Sequence, residues 1–320
     1  MKTTVIIPNY NGIDYLKDCL LSLSESESNG FEIIVVDDGS SDGSAEYIRT
    51  NHPYVKLIAL ESNTGFAAAV NKGIEAATMQ YVLLLNNDTK IIGDFVSRME
   101  EAIEADEKIF SVSAKMLKMN DEATVDGAGD YYCALGWAYA YGKDKPEKKV
   151  DKKRRIFSAC GGAAIYRREV VLKLGLFDER HFAYLEDVDL GYRARIEGYI
   201  NMYEPSARVL HAGSGFSGSR YNEFKVGLSS KNSTYIIRKN MPFLQRIINL
   251  PFFIIGFGIK LLFFCLKGFG AVYLKGLFKG ISESLTAEGR AKKVPFRLKN
   301  TGNYLRIQVE LWINILRRFA

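Results

Sequence analysis

Residues 5–44 read VIIPNYNGIDYLKDCLLSLSESESNGFEIIVVDDGSSDGS, and this stretch decides the fold. Val5–Ile7 and Glu32–Val36 are short apolar runs rich in β-branched residues, the composition of strands buried on both faces. Between them, Ile13–Ser24 has the apolar spacing of a helix. The alternation continues outward, with Val55–Ala59 and Tyr81–Leu85 as further strands and Ser44–Asn51, Phe66–Ala77 and Asp94–Ala105 as further helices. Strands separated by helices imply an α/β fold with a mostly parallel central sheet and helices on both faces. Ligands of such sheets bind beyond the carboxyl ends of the strands. The polar residues fall at those ends: Pro8-Asn9-Tyr10, then Asp37-Asp38-Gly39-Ser40, then Asn86-Asn87-Asp88.

The chain has 320 residues, 47% of them hydrophobic and 25% charged, enough for one large domain with an appendage. Its net charge of +6 is unevenly spread. Residues 241–320 hold 13 Lys+Arg against 3 Asp+Glu, which leaves 30 basic and 34 acidic residues in 1–240. Four cysteines lie without C-x-x-C spacing among apolar or small neighbours, as expected of buried free thiols in a reducing compartment. The N-terminus enters a strand at once, with no charged-then-apolar leader, so a cytoplasmic catalytic part is expected.

Two acidic clusters carry the chemistry. Asp88 ends the run YVLLLNND and suits a metal ligand at a strand end, although a turn or cap role would also place an aspartate there. Glu186-Asp187, with Asp189, opens a helix in AYLEDVDLGYRAR (183–195) and suits a general base. The plainer reading is an acidic helix N-terminus favoured by the macrodipole, with Asp189 and Arg193 paired at i,i+4. Asp37 or Asp38 can accept a hydrogen bond from a pyrimidine N3–H, while Ser41 or Asp42 caps the next helix. His211 follows an apolar run and is either structural or a ligand; His52 and His181 receive no role. Residues 142–155, GKDKPEKKVDKKRR, read as a solvated mobile loop or a flap over an anionic substrate. Gly161-Gly162 marks a close backbone approach.

In order, VIIPNYNG, VVDDGSSDGS, NTGFAAAVNKGI, YVLLLNNDT, FSACGGAAIYRREV, GLFDERHFAYLEDVDLGYRAR and HAGSG resemble the family 2 glycosyltransferases, over about residues 3–215. The rhamnosyltransferase-like branch that builds bacterial surface polysaccharides looks most similar. The resemblance implies a GT-A fold and inverting transfer from a nucleotide-sugar, with Mg²⁺ or Mn²⁺. It places Pro8, Asn9 and Tyr10 in the nucleotide pocket, Asp38 (or Asp37) on the nucleobase, and Asn63, Gly65, Asn71, Lys72 and Asn87 nearby. Asp88 corresponds to the last acid of a D-x-D metal motif and His211 to a third-ligand histidine. Asp187 corresponds to the catalytic base, with Glu186 orienting the acceptor. Asn86 stands where the motif's first acid would be, which implies weaker metal affinity.

The tail suits the same reading. Ile247–Ile259, Leu261–Leu266 and Gly268–Leu274 are apolar runs broken by Lys260 and Lys267, each shorter than the ~20 residues of a spanning helix. Interfacial helices with snorkelling lysines fit them; core-packing helices are the alternative. The expected division is a catalytic domain over 1–240 and an amphipathic basic membrane-associating region over 241–320. The partners expected are a nucleotide-sugar, a polyprenyl-pyrophosphate-linked glycan and the inner face of the cell membrane. Nucleic acid is not expected, because the tail's basic residues are interleaved with long apolar runs. A sugar nucleotidyltransferase would carry Arg or Lys after its first strand, where this chain has IPNYNG. A non-catalytic scaffold would have no use for Asp88, Asp187 and His211 together.

Overall fold

The computed structural model describes residues 2–25, 30–213 and 221–319. The first half follows the expected rhythm: β1 (Thr3–Asn9), α1 (Ile13–Glu25), β2 (Glu32–Asp37), α2 (Ser44–Asn51), β3 (Lys56–Ala59), α3 (Phe66–Ala76), β4 (Tyr81–Leu85), β5 (Thr89–Ile92), α4 (Phe95–Glu104) and β6 (Ile109–Lys118). Then come β7 (Asp121–Gly127), β8 (Asp130–Cys133), β9 (Trp137–Ala140), β10 (Arg154–Ile156), β11 (Ala163–Arg167), α5 (Arg168–Lys173), α6 (Glu186–Ile196) and β12 (Ile200–His211). Five helices follow: α7 (Glu223–Asn240), α8 (Phe243–Leu266), α9 (Gly270–Leu285), α10 (Ala287–Ala291) and α11 (Thr301–Phe319).

Eight strands run in the order β10-β12-β6-β11-β4-β1-β2-β3, with β5 on β12 and β7 on β6. Along that path β12, β6, β4, β1, β2 and β3 point one way, and β11 and β10 oppose them. The sheet is therefore mixed but mostly parallel. Alternate side chains of the central strands enter opposite layers. Ile6, Ile34, Val36, Val82 and Leu84 meet Val70 and Ile74 of α3 on one face. Val5, Ile7, Val35, Leu83 and Leu85 meet Leu16 and Leu20 of α1 and Phe95 and Met99 of α4 on the other.

Three expectations change. Residues 142–155 are not simply a solvated loop: they hold a 3₁₀ turn at Glu147–Val150 and end in edge strand β10, paired with β12. Their acids serve as counter-ions, Glu147 and Asp151 for buried Lys115 and Asp144 for Lys118. The cysteines are free as expected, but only Cys19 and Cys133 are buried; Cys160 is half-buried and Cys265 exposed. The first two apolar runs of the tail fuse, because α8 is one 24-residue helix passing through Pro251 and Lys260, while the third opens α9. The Lys260 ammonium lies 5.4 Å from the centroid of the Trp137 ring, a cation–π contact that accommodates the charge. Among the described residues, α8 alone is long and apolar enough to cross a membrane.

One face of the C-terminal helices is nevertheless built into the molecule. Tyr192 donates to Gln245 at 2.9 Å, Trp137 Nε1 to the Gly256 carbonyl at 3.0 Å, and Asn249 and Gln308 exchange reciprocal amide bonds at 2.8 Å. Phe253, Tyr304, Ile307 and Leu311 join the same buried cluster as the sheet.

Candidate active site

The site forms at the carboxyl edge of β1, β2 and β4, where Asn9 ties the three strand ends together. Its amide donates to Asp37 Oδ2 (3.0 Å) and Ser40 Oγ (3.3 Å), and its carbonyl accepts from Asn87 Nδ2 (2.7 Å). Asp37 also accepts from Ser40 N, which folds the β2–α2 turn. Asp38 accepts from Thr64 N, Thr64 Oγ1 and Gly65 N at 2.7–2.9 Å, bringing the loop before α3 beside it. Both carboxylates are buried in the floor of the site and engaged by protein donors. Pro8 and Tyr10 are half-buried at its rim, and Asn63 is exposed, accepting from Gly65 N at 3.0 Å. Asp42 caps α2 from one place upstream, accepting from Ser44 N and also from Ile13 N.

Gly65 has φ +90°, and a Cβ there would come within 2.6 Å of the Phe182 ring. Only glycine combines that conformation with so close a neighbour. Asn71 departs from expectation. It is buried, and its side chain exchanges hydrogen bonds with the backbone of Phe177 and donates to Glu179, so it braces a loop and does not present its amide to a nucleotide. Lys72 is exposed on α3, 3.5 Å from Glu75.

Asp88 and His211, 123 positions apart, meet because β5 pairs with the end of β12: Thr89 faces His211 in the ladder and Ala212 N donates to the Asp88 carbonyl. His211 Nε2 lies 3.3 Å from Asp88 Oδ1, and Nδ1 lies 2.7 Å from Asp126 Oδ2. Asp126 in turn takes a 2.9 Å ion pair from Lys143. Burial disfavours a charged imidazole here, but the hydrogen bonds with Asp126 and Asp88 outweigh it and raise the His211 pKa to about 9. For Asp126 burial likewise opposes ionisation, yet His211 and Lys143 hold it well below the usual carboxylate range. Sequence reasoning missed Asp126. Past residue 213 the Gly/Ser-rich stretch lies outside the described residues until 221.

An oxygen and an imidazole nitrogen converging in a buried corner, with a carboxylate behind the imidazole, match the donor set and outer support of a Mg²⁺ or Mn²⁺ site. Asp88 and His211 would hold the ion, leaving its other positions to phosphate oxygens and water.

The second acidic cluster opens α6. Asp187 Oδ1 accepts from Val188 N (2.7 Å) and Oδ2 from Gly161 N (3.2 Å). The next residue along that turn, Gly162, accepts from Asn86 N at 2.9 Å. Its bare Cα faces the Asn86 amide, which a Cβ would approach to 3.2 Å. The Gly161-Gly162 turn therefore joins the base candidate to the segment carrying Asp88. Asp130 of β8, also missed in the sequence, clusters with Cys160 and Asp187, their ligand atoms all within 4.8 Å. Burial raises the pKa of Asp187; burial and the charge of Asp187 raise Glu186 and Asp130. A carboxylate raised this way is suited to accept a proton near neutral pH. Glu186 Oε2 has no hydrogen-bond partner among the described residues. Asp189 is different: fully buried behind the helix, it binds Arg193 as the i,i+4 spacing predicts, and also Lys239 and Asn240.

This geometry can bind a nucleoside diphosphate on one side of a metal corner and offer a base on the other. The family model for glycosyl transferase family 2 matches residues 4–175, more than half of the chain. The chain belongs to glycosyltransferase family 2. Among curated relatives of this glycosyltransferase is the N-acetylglucosaminyl-diphospho-decaprenol L-rhamnosyltransferase of Mycobacterium tuberculosis, 27% identical over 65% of this chain and 75% of that protein. Another is the poly-beta-1,6-N-acetyl-D-glucosamine synthase of Staphylococcus aureus, 27% identical over 64% of this chain and 48% of that one. Among solved structures, GalNAc-T7 with UDP, GalNAc and Mn²⁺ superposes with a TM-score of 0.60 at 19% identity, over 75% of this chain and 48% of that one. S. aureus TarS 1–349 with UDP-GlcNAc superposes with 0.57 at 18% identity, over 97% and 90%. These structural likenesses establish the GT-A fold. The enzyme transfers a sugar from a nucleotide-sugar.

Proposed function

We propose that the enzyme is an inverting, metal-dependent transferase that moves a sugar from a nucleoside diphosphate to a lipid-linked or glycan acceptor in bacterial surface polysaccharide synthesis. The name of the mycobacterial relative favours rhamnose as the sugar; dTDP-rhamnose is the donor the sequence resemblance implies, with a UDP-sugar as the second choice. One observation carries the reading: the Gly161-Gly162 turn is hydrogen-bonded to Asp187 on one side and to Asn86, two residues from Asp88, on the other.

In this mechanism Asp187 removes the acceptor hydroxyl proton. The oxygen lone pair attacks the anomeric carbon while the bond from that carbon to the diphosphate oxygen breaks, and the nucleoside diphosphate leaves with the bonding electrons. A bound divalent cation supplies electrostatic stabilisation of that leaving group. Asp126 holds the His211 ring so that Nε2 points at Asp88. Gly161 N–H holds one Asp187 oxygen, and Glu186 orients the acceptor.

The outer face of the C-terminal helices supports a peripheral attachment to the cytoplasmic membrane surface. Phe243, Leu244, Ile254 and Leu262 of α8 and Leu316 and Phe319 of α11 are exposed. The basic excess of 241–320 would favour anionic head groups and a polyprenyl-pyrophosphate carrier. Gln245 and Gly256, about three turns apart on α8, bond to Tyr192 and Trp137 of the catalytic body, so we read α8 as lying in the interface and not crossing it.

The test is release of nucleoside diphosphate from a panel of dTDP-, UDP- and GDP-sugars with Mn²⁺ or Mg²⁺, with and without a polyprenyl-pyrophosphate acceptor. Turnover of one donor that disappears in Asp88→Ala supports the reading. Silence across the panel with the acceptor present, from protein that binds nucleoside diphosphate, refutes it.

A further inference from the structure

Helix α6 is preceded by a turn in which Phe182, Tyr184 and Leu185 all have positive φ, of 62°, 68° and 68°; Phe182, with ψ −65°, centres a γ-turn in which Ala183 N donates to the His181 carbonyl at 2.8 Å. Non-glycine residues seldom adopt positive φ, and three within four positions persist only where the surroundings dictate it. The turn is gripped from two sides. Ala67 N, at the start of α3, donates to the Phe182 carbonyl at 3.1 Å. From the other side Asn232 of α7, fully buried, directs its amide Nδ2 at the carbonyls of His181 (3.0 Å), Ala183 (2.9 Å) and Tyr184 (2.7 Å). Neighbouring turns of α7 hold the flanks: Lys231 donates to the Arg180 carbonyl, Tyr235 to Asp178 (3.0 Å), and Lys239 to Asp178 and Asp189 (2.7 and 2.8 Å). Helix α7 is itself backed by α9, whose Gly280 approaches so closely that a Cβ would lie 2.0 Å from the Lys231 carbonyl.

We propose that Asn232 is a positioning residue for sugar transfer: its amide holds the turn that aims Glu186 and Asp187 into the site. The inference rests on the glycosyl-transfer reading above. An asparagine is suited to the task because its NH₂ serves several carbonyls from one buried point without adding a charge. Of the three carbonyls it joins, that of His181 also accepts from Ala183 N within the turn, and Asn232 adds the bonds to Ala183 and Tyr184 just before the helix. Loosening them releases the backbone immediately before the base, and a displacement of about 1 Å at a reacting group costs ~100-fold in rate.

The test compares Asn232→Asp, which places a carboxylate against three carbonyl oxygens, with Asn232→Ala, which removes the donors without adding charge. Ser230→Ala removes a buried hydroxyl bonded within α7 itself and serves as the control. Amide hydrogen exchange is read by segment, with UDP and dTDP binding in Mn²⁺ and kcat and KM for the donor that the wild type turns over. Expected are exchange of amides 183–188 faster by about 10-fold, kcat lower by about 100-fold, donor KM and nucleotide binding near wild type, and no such change in Ser230→Ala. Wild-type exchange in that segment refutes the clamp. So does acceleration spread evenly through α7 and α9, or kcat near wild type despite a loosened turn. Should Asn232→Asp fail to fold, Asn232→Ala gives the same readouts. Wild-type protein that turns over no donor refutes the transfer reading alone, since the exchange data still decide whether Asn232 holds the turn.

Discussion

Replacing Asp126 by asparagine keeps an acceptor for His211 Nδ1 but removes the negative charge 2.7 Å from the ring. Two opposing effects follow, and their sizes can be separated. Losing an outer carboxylate behind a ligating histidine weakens metal binding by ~10- to 100-fold. Against this, a His211 pKa of about 9 means that the metal must displace a proton at neutral pH. At pH 7.5 that competition costs the wild type about 30-fold in apparent affinity, one factor of ten per pH unit below the pKa. Asp126→Asn lowers the histidine pKa and so relieves the competition. The two proteins should therefore differ little near pH 7 and diverge above it. Mn²⁺ binding followed by electron paramagnetic resonance under nitrogen, with saturating nucleoside diphosphate, checks this between pH 6.5 and 9. Wild-type affinity should rise about tenfold per pH unit toward pH 9, whereas the variant should level off earlier and lower. A wild-type curve that is flat from pH 7 to 9 would refute His211 as a ligand freed from its proton.

Asp187→Asn should lower transfer by ~100- to 10,000-fold while nucleoside diphosphate binding, followed by fluorescence competition, stays intact; lost binding would reassign the residue. In the metal-free protein, His211 stabilises the fold below its unfolded pKa near 6.5, and this contribution is lost as pH rises through about 9. Thermal melts without metal should thus lose stability between pH 6.5 and 9, and His211→Gln should flatten that slope. Lys239→Met strands the carboxylates of Asp178 and Asp189 and should cost about 3–5 kcal/mol in urea unfolding; a loss below about 1 kcal/mol would show that the network is dispensable. Exchanging Phe243, Ile254 and Leu262 for serine should cut partitioning onto anionic vesicles more than tenfold at constant melting temperature, since each buried side chain is worth about 1.5–3 kcal/mol. Unchanged sedimentation with vesicles would refute the proposed membrane contact through α8.

The parts of this enzyme legible in its sequence are those whose cause is local. The apolar runs at residues 5–7, 32–36 and 81–85 need only neighbours along the chain to declare themselves strands, and the polar residues at their ends mark the site. What was not legible depends on cross-chain pairing. Asp88 meets His211 only through the β5–β12 ladder, and Asp126 joins them from β7, a segment with no pattern to single it out. Asp130 reaches Asp187 through a hairpin strand that sequence periodicity does not reveal. Asn71 differs in the opposite sense: it lies beside residues of the site, but helical geometry turns its amide into a buried bracing contact with the Phe177 backbone. The Asp189–Arg193 pair was legible from its i,i+4 spacing, whereas the Lys239 contact of Asp189, coming from α7, was not. In the tail, counting charges split α8 at Lys260, because a sequence does not show that Trp137 will lie beneath the ammonium.

The helices after residue 241 leave no clean cut point. Removing them would strip Tyr192 and Trp137 of their partners and uncover the surface now occupied by Phe253, Ile307 and Leu311. A detergent-free preparation of this enzyme should therefore come from resurfacing, with polar residues written over the outward positions of α8 and α11, and not from truncation. For the same reason, fusing another module to the catalytic part would require carrying the inward half of these helices along with it.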